Sequence, residues 1–193
     1  MGIEFELKFR ATESQLSAVK AALTGEICEY DMQTTYYDTP SGALSNRYYT
    51  MRRRLENECS VCTLKYPADK IGRGEVEVVC PEIESAIPEL CKLSGLTDLP
   101  GLLAEGIVPV CGAKFHRTAI TVSMPDCIVE VALDQGVLFG GGREIPLCEL
   151  EVEQKDGSRD AVIAYATVLA HQYGLVLEQD SKFRRALALA KGE

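Results

Sequence analysis

Acidic side chains recur at every second position along two segments of the sequence. The late segment CELEVE carries Glu149, Glu151 and Glu153, and the opening segment IEFELKFR carries Glu4 and Glu6. Successive side chains of an extended strand point to opposite faces, so each set would share one face of a strand. Carboxylates about 7 Å apart on one face repel each other unless a cation lies nearby. Such oxygen ligands suit Mg²⁺ or Mn²⁺ rather than zinc.

Basic side chains follow the same spacing on other segments, and further acids lie beside them. The positions are Lys8 in the first segment, Arg52 and Arg54 in MRRRL, Lys65 in TLKYP, Arg73 with Glu75 and Glu77 in GRGEVEV, Arg117 in the otherwise apolar RTAITV, and Glu130 with Asp134 in IVEVALD. If these faces line the inside of a closed sheet, the acids can hold a metal ion while the bases hold phosphate oxygens, as a metal-bound polyphosphate requires. The alternative is that the charged faces are simply exposed to water.

The elements that would position these side chains are mostly strands. Alternating or β-branched segments such as TTYYDT, CSVCTLKYP and CIVEVALDQGVLFG are separated by Gly and Pro. Helices are predicted after the Thr12-x-x-Gln15 capping box, within residues 83–106, from Asp156 or Ser158 to Gly174, and in the tail SKFRRALALAKG. This predicts one α+β domain over residues 1–193, a closed or nearly closed antiparallel barrel with helices packed outside.

The overall composition narrows the range of partners and compartments. The 193 residues carry a formal net charge of −9, which argues against nucleic acid or an anionic membrane as a partner. The sequence has neither a membrane-length apolar run nor an export signal, so we expect a cytoplasmic protein with reduced cysteines. Cys59 and Cys62 form a single C-x-x-C motif without a second ligand pair, so zinc is not expected.

Taken together, the motifs resemble the CYTH domain family, also called triphosphate tunnel metalloenzymes. The matches in chain order are Glu4-x-Glu6-x-Lys8, YYDTP at 36–40, Arg52-x-Arg54, TLK with Lys65, Arg73-x-Glu75-x-Glu77, Arg117, ALDQG at 132–136, CELEVE, and SK with Lys182. The resemblance covers nearly the whole chain and is greatest to bacterial inorganic triphosphatases. It implies an eight-stranded antiparallel tunnel that binds a linear triphosphate and one or two divalent metal ions.

The resemblance also implies a role for each site residue. Glu4, Glu6, Glu151 and Glu153 are expected metal ligands, with Glu149 either a further ligand or a group behind them. Catalytic roles fall to Glu151, Glu153 and Lys8. The expected phosphate contacts are Lys8, Arg52, Arg54, Lys65, Arg73, Arg117 and Lys182, and the expected supporting residues are Glu75, Glu77, Glu130 and Asp134.

The function predicted from these roles is Mg²⁺- or Mn²⁺-dependent release of the terminal phosphate of a triphosphate, with inorganic tripolyphosphate as the expected substrate. A class IV adenylyl cyclase, a thiamine triphosphatase and a non-catalytic polyphosphate- or nucleotide-binding module remain open. The expected partner is a small-molecule triphosphate, with neither nucleic acid nor membrane. The sequence does not distinguish a monomer from a homodimer.

Overall fold

The structure, a computed structural model, describes residues 3–68 and 72–193, with side chains over 5–67 and 73–193. Within these ranges the chain forms ten strands. They are β1 (Ile3–Glu4), β2 (Glu6–Arg10), β3 (Glu26–Asp38), β4 (Thr50–Glu56), β5 (Cys59–Ala68), β6 (Gly72–Val79), β7 (Val108–Ser123), β8 (Cys127–Gly140), β9 (Arg143–Gly157) and β10 (Val176–Leu177). The predicted strands are confirmed, but β3 begins earlier than the TTYYDT segment because its polar first half is held by pairing with β7.

The same ranges contain five α-helices. They are α1 (Glu13–Ala22), α2 (Ile83–Ser94), α3 (Leu99–Leu102), α4 (Arg159–Tyr173) and α5 (Lys182–Lys191). The Thr12 and Gln15 side chains form the predicted capping box, and Ser158 caps α4, which ends at Gly174. None of the helices in the described ranges is long and apolar enough to cross a membrane. Each of the eight cysteines is a free thiol.

The strands form one antiparallel sheet in the order β1-β6-β5-β4-β3-β7-β8-β9-β2-β10. The prediction of an α+β fold with an antiparallel sheet is therefore confirmed. The prediction of eight strands in a closed barrel is wrong, because the ladder of described strands has two ends, at β1 and at β10.

The sheet is nevertheless strongly curved. Only Phe5 separates β1 from β2, yet β1 pairs with β6 and β2 pairs with β9. The opening segment was expected to be one strand, and its interruption at Phe5 divides it between two ladders. The sheet must bend far enough to bring β6 and β9 to the same short segment. This curvature gives the sheet a concave face.

The convex face carries the apolar residues of the alternating pattern and is covered by helices. One apolar cluster joins Leu150 and Val152 of β9 to α1 and α4, and a second joins Leu64 of β5 to α2 and α3. Burial of these side chains away from water is the main free-energy gain that fixes which face of each strand points inward. The charged positions of the same strands are left on the concave face.

Helix α5 departs from the predicted placement of helices outside the sheet. Its Phe183 packs against Tyr36 with ring centroids 5.1 Å apart, and both belong to a third cluster with Phe115. These side chains, with Lys182, also line the cavity of the concave face. Helix α5 therefore covers part of the concave face, because its Phe183 side chain is buried there and not against the convex surface.

The glycine of the ALDQG segment is required by the close approach of a neighbouring strand. A Cβ atom on Gly136 would lie 2.1 Å from the carbonyl oxygen of Lys114 and 2.5 Å from the Cα of Phe115 on the neighbouring strand β7. We expect Gly136→Ala to lower the free energy of unfolding by about 1–3 kcal/mol, since backbone must shift to admit the methyl group. The measurement is urea denaturation followed by circular dichroism.

Gly101→Ala is the matched control for this prediction. A Cβ atom at Gly101 meets no heavy atom within 4 Å. The change should leave stability within about 1 kcal/mol of the parent, because Ala is the better helix former. Equal stability of the two variants would contradict the close approach of β7 and β8 at Gly136.

Candidate active site

The concave face encloses a cavity of about 510 Å³ that concentrates charged side chains. Eight of the chain's twenty Lys and Arg residues line it, together with seven glutamates. The basic residues are Lys8, Arg52, Arg54, Lys65, Arg73, Arg117, Lys155 and Lys182, and the glutamates are Glu6, Glu56, Glu75, Glu77, Glu130, Glu151 and Glu153. The excess of acid in the whole chain is therefore absent from the cavity, which suits an anionic ligand.

Most of the predicted site residues meet in this cavity. All seven predicted phosphate contacts line it, as do Glu6, Glu151 and Glu153 and the supporting residues Glu75, Glu77 and Glu130. Asp134 and Glu149 are fully buried and lie behind the lining. The side chain of Glu4 lies outside the described residues, although its backbone pairs with Arg73.

The inner part of the acidic wall is a buried ion-pair network centred on Arg117. The guanidinium donates from Nε and Nη2 to the two oxygens of Asp134, each at 2.7 Å, and from Nη2 to Glu151 at 2.5 Å. The pairing of β7 with β8 puts Arg117 directly opposite Asp134. Burial disfavours the charge on Arg117, but Asp134 and Glu151 outweigh it and raise its pKa well above the ordinary value.

Helix α5 completes this network. Lys182 Nζ lies 2.7 Å from Asp134 and 2.9 Å from Glu151, and it also donates to Glu149. The second oxygen of Glu149 accepts from Arg185, one turn further along the helix. Burial lowers the pKa of Lys182, but the three carboxylates raise it by more, so the ammonium group remains charged. Three buried acids are thus matched by three bases, Arg117, Lys182 and Arg185.

The pKa values of Glu149 and Glu151 are shifted in opposite directions by this network. Burial raises the pKa of Glu151, but Lys182, Arg117 and Lys8 hold it well below the usual range. For Glu149 burial dominates and raises the pKa, although Lys182 lowers it. Glu151 is therefore a fixed anion that faces the cavity, whereas Glu149 is a buried partner of α5.

Carboxylate oxygens of Asp134, Glu149 and Glu151 lie within 4.8 Å of one another, a spacing that a metal ion could bridge. The contacts of these oxygens, however, are with protein cations at hydrogen-bond distance. A divalent ion there would have to displace buried Lys and Arg groups, which would leave them without compensation. The inner cluster is therefore a poor fit to Mg²⁺ or Mn²⁺.

The outer part of the acidic wall fits such an ion better. Glu6 of β2 is the register partner of Glu153 of β9, and Glu153 is in turn the partner of Glu130 of β8. Side chains directly opposite on neighbouring strands have Cβ atoms about 4.5–5.5 Å apart. The three carboxylates are between 23% and 33% exposed, so water can also reach a bound ion. Partly hydrated carboxylate sites of this kind suit Mg²⁺ and Mn²⁺.

Lys8 connects the two parts of the acidic wall. Its ammonium group lies 3.4 Å from Glu6 and 3.7 Å from Glu151. Burial lowers the pKa of Lys8, but Glu151 and Glu6 raise it above its ordinary value. Lys8 is therefore a charged donor beside the outer carboxylates.

The opposite wall of the cavity is formed by β4, β5 and β6 and carries bases held by glutamates. Lys65 Nζ lies 3.3 Å from Glu75, its register partner, and Arg52 Nη2 lies 3.6 Å from the same carboxylate. Arg73 donates to the Tyr48 carbonyl oxygen at 3.0 Å. Glu75 thus pairs with two bases that line the cavity.

Arg54 has a hydrogen-bond donor on this wall that no described residue uses. Its Nη2 contacts Glu56, while its Nε is buried and has no hydrogen-bond partner among the described residues. Burial lowers the pKa of Arg54, and the neighbouring charge of Arg52 lowers it further. A buried donor without a partner is costly unless a ligand supplies an acceptor. Phosphate oxygens are suitable acceptors for a guanidinium group.

Three charged residues at the site were not predicted. Lys155 and Glu56 share the two-residue spacing of Glu153 and Arg54, so the same periodicity extended by one step would have found them. Arg185 lies on a helix, and its contact with Glu149 depends on how α5 docks. No spacing rule along one strand could have located it.

Comparisons with known proteins support the resemblance that the motifs suggest. Residues 2–187 match the CYTH domain family. An inorganic triphosphatase from Haemophilus influenzae is 29% identical over 157 residues, which cover 80% of this chain and 45% of that protein. The chain therefore spans about half the length of this curated relative.

Solved structures share the fold at low sequence identity. A candidate adenylyl cyclase from Hippeastrum, described as having a dominant triphosphatase activity, has a TM-score of 0.70 at 19% identity and covers 100% of this chain and 97% of that chain. A candidate adenylate cyclase from Bacillus halodurans has a TM-score of 0.62 at 14% identity, with coverages of 95% and 96%. Because the family match extends over nearly the whole sequence, this chain belongs to the CYTH domain family.

Proposed function

We propose that this chain is a metal-dependent triphosphatase that releases the terminal phosphate of inorganic tripolyphosphate, with residues 1–193 acting as one CYTH domain. The observation that carries the proposal is one cavity in which a wall of bases faces a wall of partly exposed carboxylates, and in which the buried Nε of Arg54 has no acceptor among the described residues. The similarity to the Haemophilus influenzae inorganic triphosphatase supports it.

In this proposal the bases of both walls hold the phosphate chain. Lys65 and Arg73 come from one wall with Arg52 and Arg54, and Lys8, Arg117 and Lys182 come from the other. Guanidinium groups suit this task because they donate several hydrogen bonds in one plane and stay charged. Glu75 and Glu77 pair with Arg52 and Lys65 and restrict these basic side chains before the substrate arrives. This lowers the conformational entropy that is lost when the substrate binds.

The outer carboxylates are the proposed metal ligands. Glu6 and Glu153 hold the ion together with Glu4, whereas Glu151, the fourth predicted ligand, keeps its two oxygens on Arg117 and Lys182. When bound, Mg²⁺ or Mn²⁺ would supply Lewis-acid neutralisation of phosphate oxygens and lower the pKa of water. Glu149 takes the second of its two predicted roles, since both of its oxygens contact cations of α5.

The remaining groups position the attacking water and stabilise charge. A carboxylate whose pKa is held low is a weak proton acceptor, so Glu151 orients water and fixes Arg117, while Glu153 accepts the proton. Lys8 lies between Glu6 and Glu151 and stabilises the charge that develops on the transferred phosphoryl group. Asp134 holds Arg117 and Lys182 in place from behind.

A second candidate function is adenylyl cyclase activity, which the fold similarity to candidate cyclases favours. Such an enzyme would bind the same triphosphate but would also need room and contacts for a nucleoside. Thiamine triphosphatase activity and simple polyphosphate binding use the same bases. Product analysis separates these possibilities.

The first prediction concerns substrate and metal dependence. We expect rapid phosphate release from tripolyphosphate with Mg²⁺ or Mn²⁺, slower release from ATP and thiamine triphosphate, and none in EDTA. Glu6→Gln should abolish turnover, whereas Glu89→Gln, on the exposed surface of α2, should retain it. Cyclic AMP formed from ATP would indicate the cyclase, and tight binding without turnover would indicate a binding module.

The second prediction concerns Arg54. Arg54→Ala should raise KM for tripolyphosphate by about 10- to 100-fold, because one charge-assisted hydrogen bond contributes about 1.5–3 kcal/mol. The measurement is steady-state kinetics at saturating metal. Arg47→Ala is the control, since Arg47 pairs with Asp98 away from the cavity. An unchanged KM for Arg54→Ala would show that this residue does not contact the substrate.

The third prediction concerns the buried network. Asp134→Asn should lower the free energy of unfolding by about 3–5 kcal/mol, because it leaves Arg117 and Lys182 with one carboxylate too few. Asp180→Asn, which removes an exposed partner of Arg184, should cost no more than about 1 kcal/mol. The measurement is urea denaturation without metal or phosphate. A small effect at Asp134 would mean that water already compensates these charges.

A further inference from the structure

Lys155 extends the charged face of β9 by one step beyond Glu153. Its ammonium group lies 2.9 Å from Oε1 of Glu153 and 3.6 Å from Oε1 of Glu130, and it lines the cavity. These carboxylates belong to the outer set, which also includes Glu6, the register partner of Glu153. Lys155 therefore supplies positive charge where three like charges would otherwise repel.

The outer lysine is held much less firmly than the inner one. Lys182 is 11% exposed and contacts three carboxylates, so its departure would leave buried charge uncompensated. Lys155 is 39% exposed and is placed between two partly exposed carboxylates. A lysine side chain is long and flexible, so this ammonium group can move into water while its methylene groups stay packed.

The contacts of Lys155 coincide with the proposed ligands of the divalent ion. Glu153 cannot hold an ammonium group at 2.9 Å and a divalent cation on the same oxygen without strong repulsion between the two cations. Occupation by one must therefore weaken occupation by the other. The effect is reciprocal, because the ammonium group of Lys155 and the divalent cation compete for the same carboxylate of Glu153.

We propose that Lys155 is an exchangeable counterion, which neutralises Glu153 and Glu130 in the metal-free protein and moves into solvent when a divalent cation binds. Lys155 would thereby set the metal affinity of the site. The inference rests on the proposed metal-dependent function and adds to it a residue whose charge opposes the metal. It is not a phosphate contact in this role.

The test is titration of the metal-free protein with Mn²⁺, followed by electron paramagnetic resonance without any phosphate compound. Lys155→Met should bind Mn²⁺ about threefold to tenfold more tightly than the parent, since it removes a competing charge of a partly exposed pair. Lys155→Arg should resemble the parent. Lys92→Met, which removes the same charge from exposed α2, should leave the affinity unchanged.

Chemical labelling tests the exchange in the unsubstituted chain. Acetylation of Lys155, followed by peptide mass spectrometry, should accelerate on addition of Mg²⁺, while acetylation of Lys92 in the same sample should not. A Lys155→Met affinity equal to or weaker than the parent's, or a Lys155 labelling rate that Mg²⁺ leaves unchanged, would overturn the inference. So would a raised KM for tripolyphosphate with unaltered Mn²⁺ affinity, which would identify Lys155 as a phosphate contact.

These outcomes are distinct from a failure of the proposed function. Metal-dependent phosphate release by the parent chain is measured separately, and its absence would reject the triphosphatase. If the chain hydrolyses tripolyphosphate only with metal and yet binds Mn²⁺ equally well with and without Lys155, the result would support the proposed function and contradict the role of Lys155 as a counterion.

Discussion

Charged side chains buried beneath a curved sheet must be compensated at close range, because burial removes the water that would otherwise solvate them. This requirement accounts for the arrangement of both walls. Asp134, Glu149 and Glu151 are matched by bases from β7 and α5, and Glu75 is matched by bases from β4 and β5. The inner contacts are buried and fixed. The outer carboxylates remain partly exposed to water.

The alternation of charged and apolar residues along each strand places charge on the concave face and apolar side chains on the convex face. Leu150 and Val152 lie between the glutamates of β9 and pack beneath α1 and α4. A shift of one residue in the register of β9 would bury its glutamates under these helices, so the apolar core and the charged cavity enforce one register together. Helix α5 belongs to the concave face instead, since it brings Lys182 and Phe183 into the cavity. Packing of the apolar core therefore positions the charged side chains of the cavity, although Leu150 and Val152 themselves do not line it.

The two-residue spacing was sufficient to predict most of the cavity lining, because a strand's own periodicity decides which of its side chains share a face. It could not predict how far the sheet closes, which depends on pairings between distant segments and on the break at Phe5, and the predicted closed barrel was therefore wrong. The network partner of Glu149, Arg185, was also missed, because helix docking is not encoded in strand spacing. The two-residue spacing could have identified Lys155, but a base at the end of an acidic segment is equally consistent with a solvent-exposed residue.

The balance of charge in the cavity bears on how metal and substrate would bind. Among the described lining residues eight bases face seven acids, so the wall has little net charge with which to attract a triphosphate. A divalent ion on the outer carboxylates would convert this balanced lining into a positive one, and a triphosphate would in turn favour retention of the ion. Linkage makes this coupling reciprocal, so each ligand would raise the affinity for the other. In the proposed function the carboxylates thus do more than hold a metal: they keep the net charge of the cavity small until the metal is present, and they prevent the bases from repelling one another when it is absent.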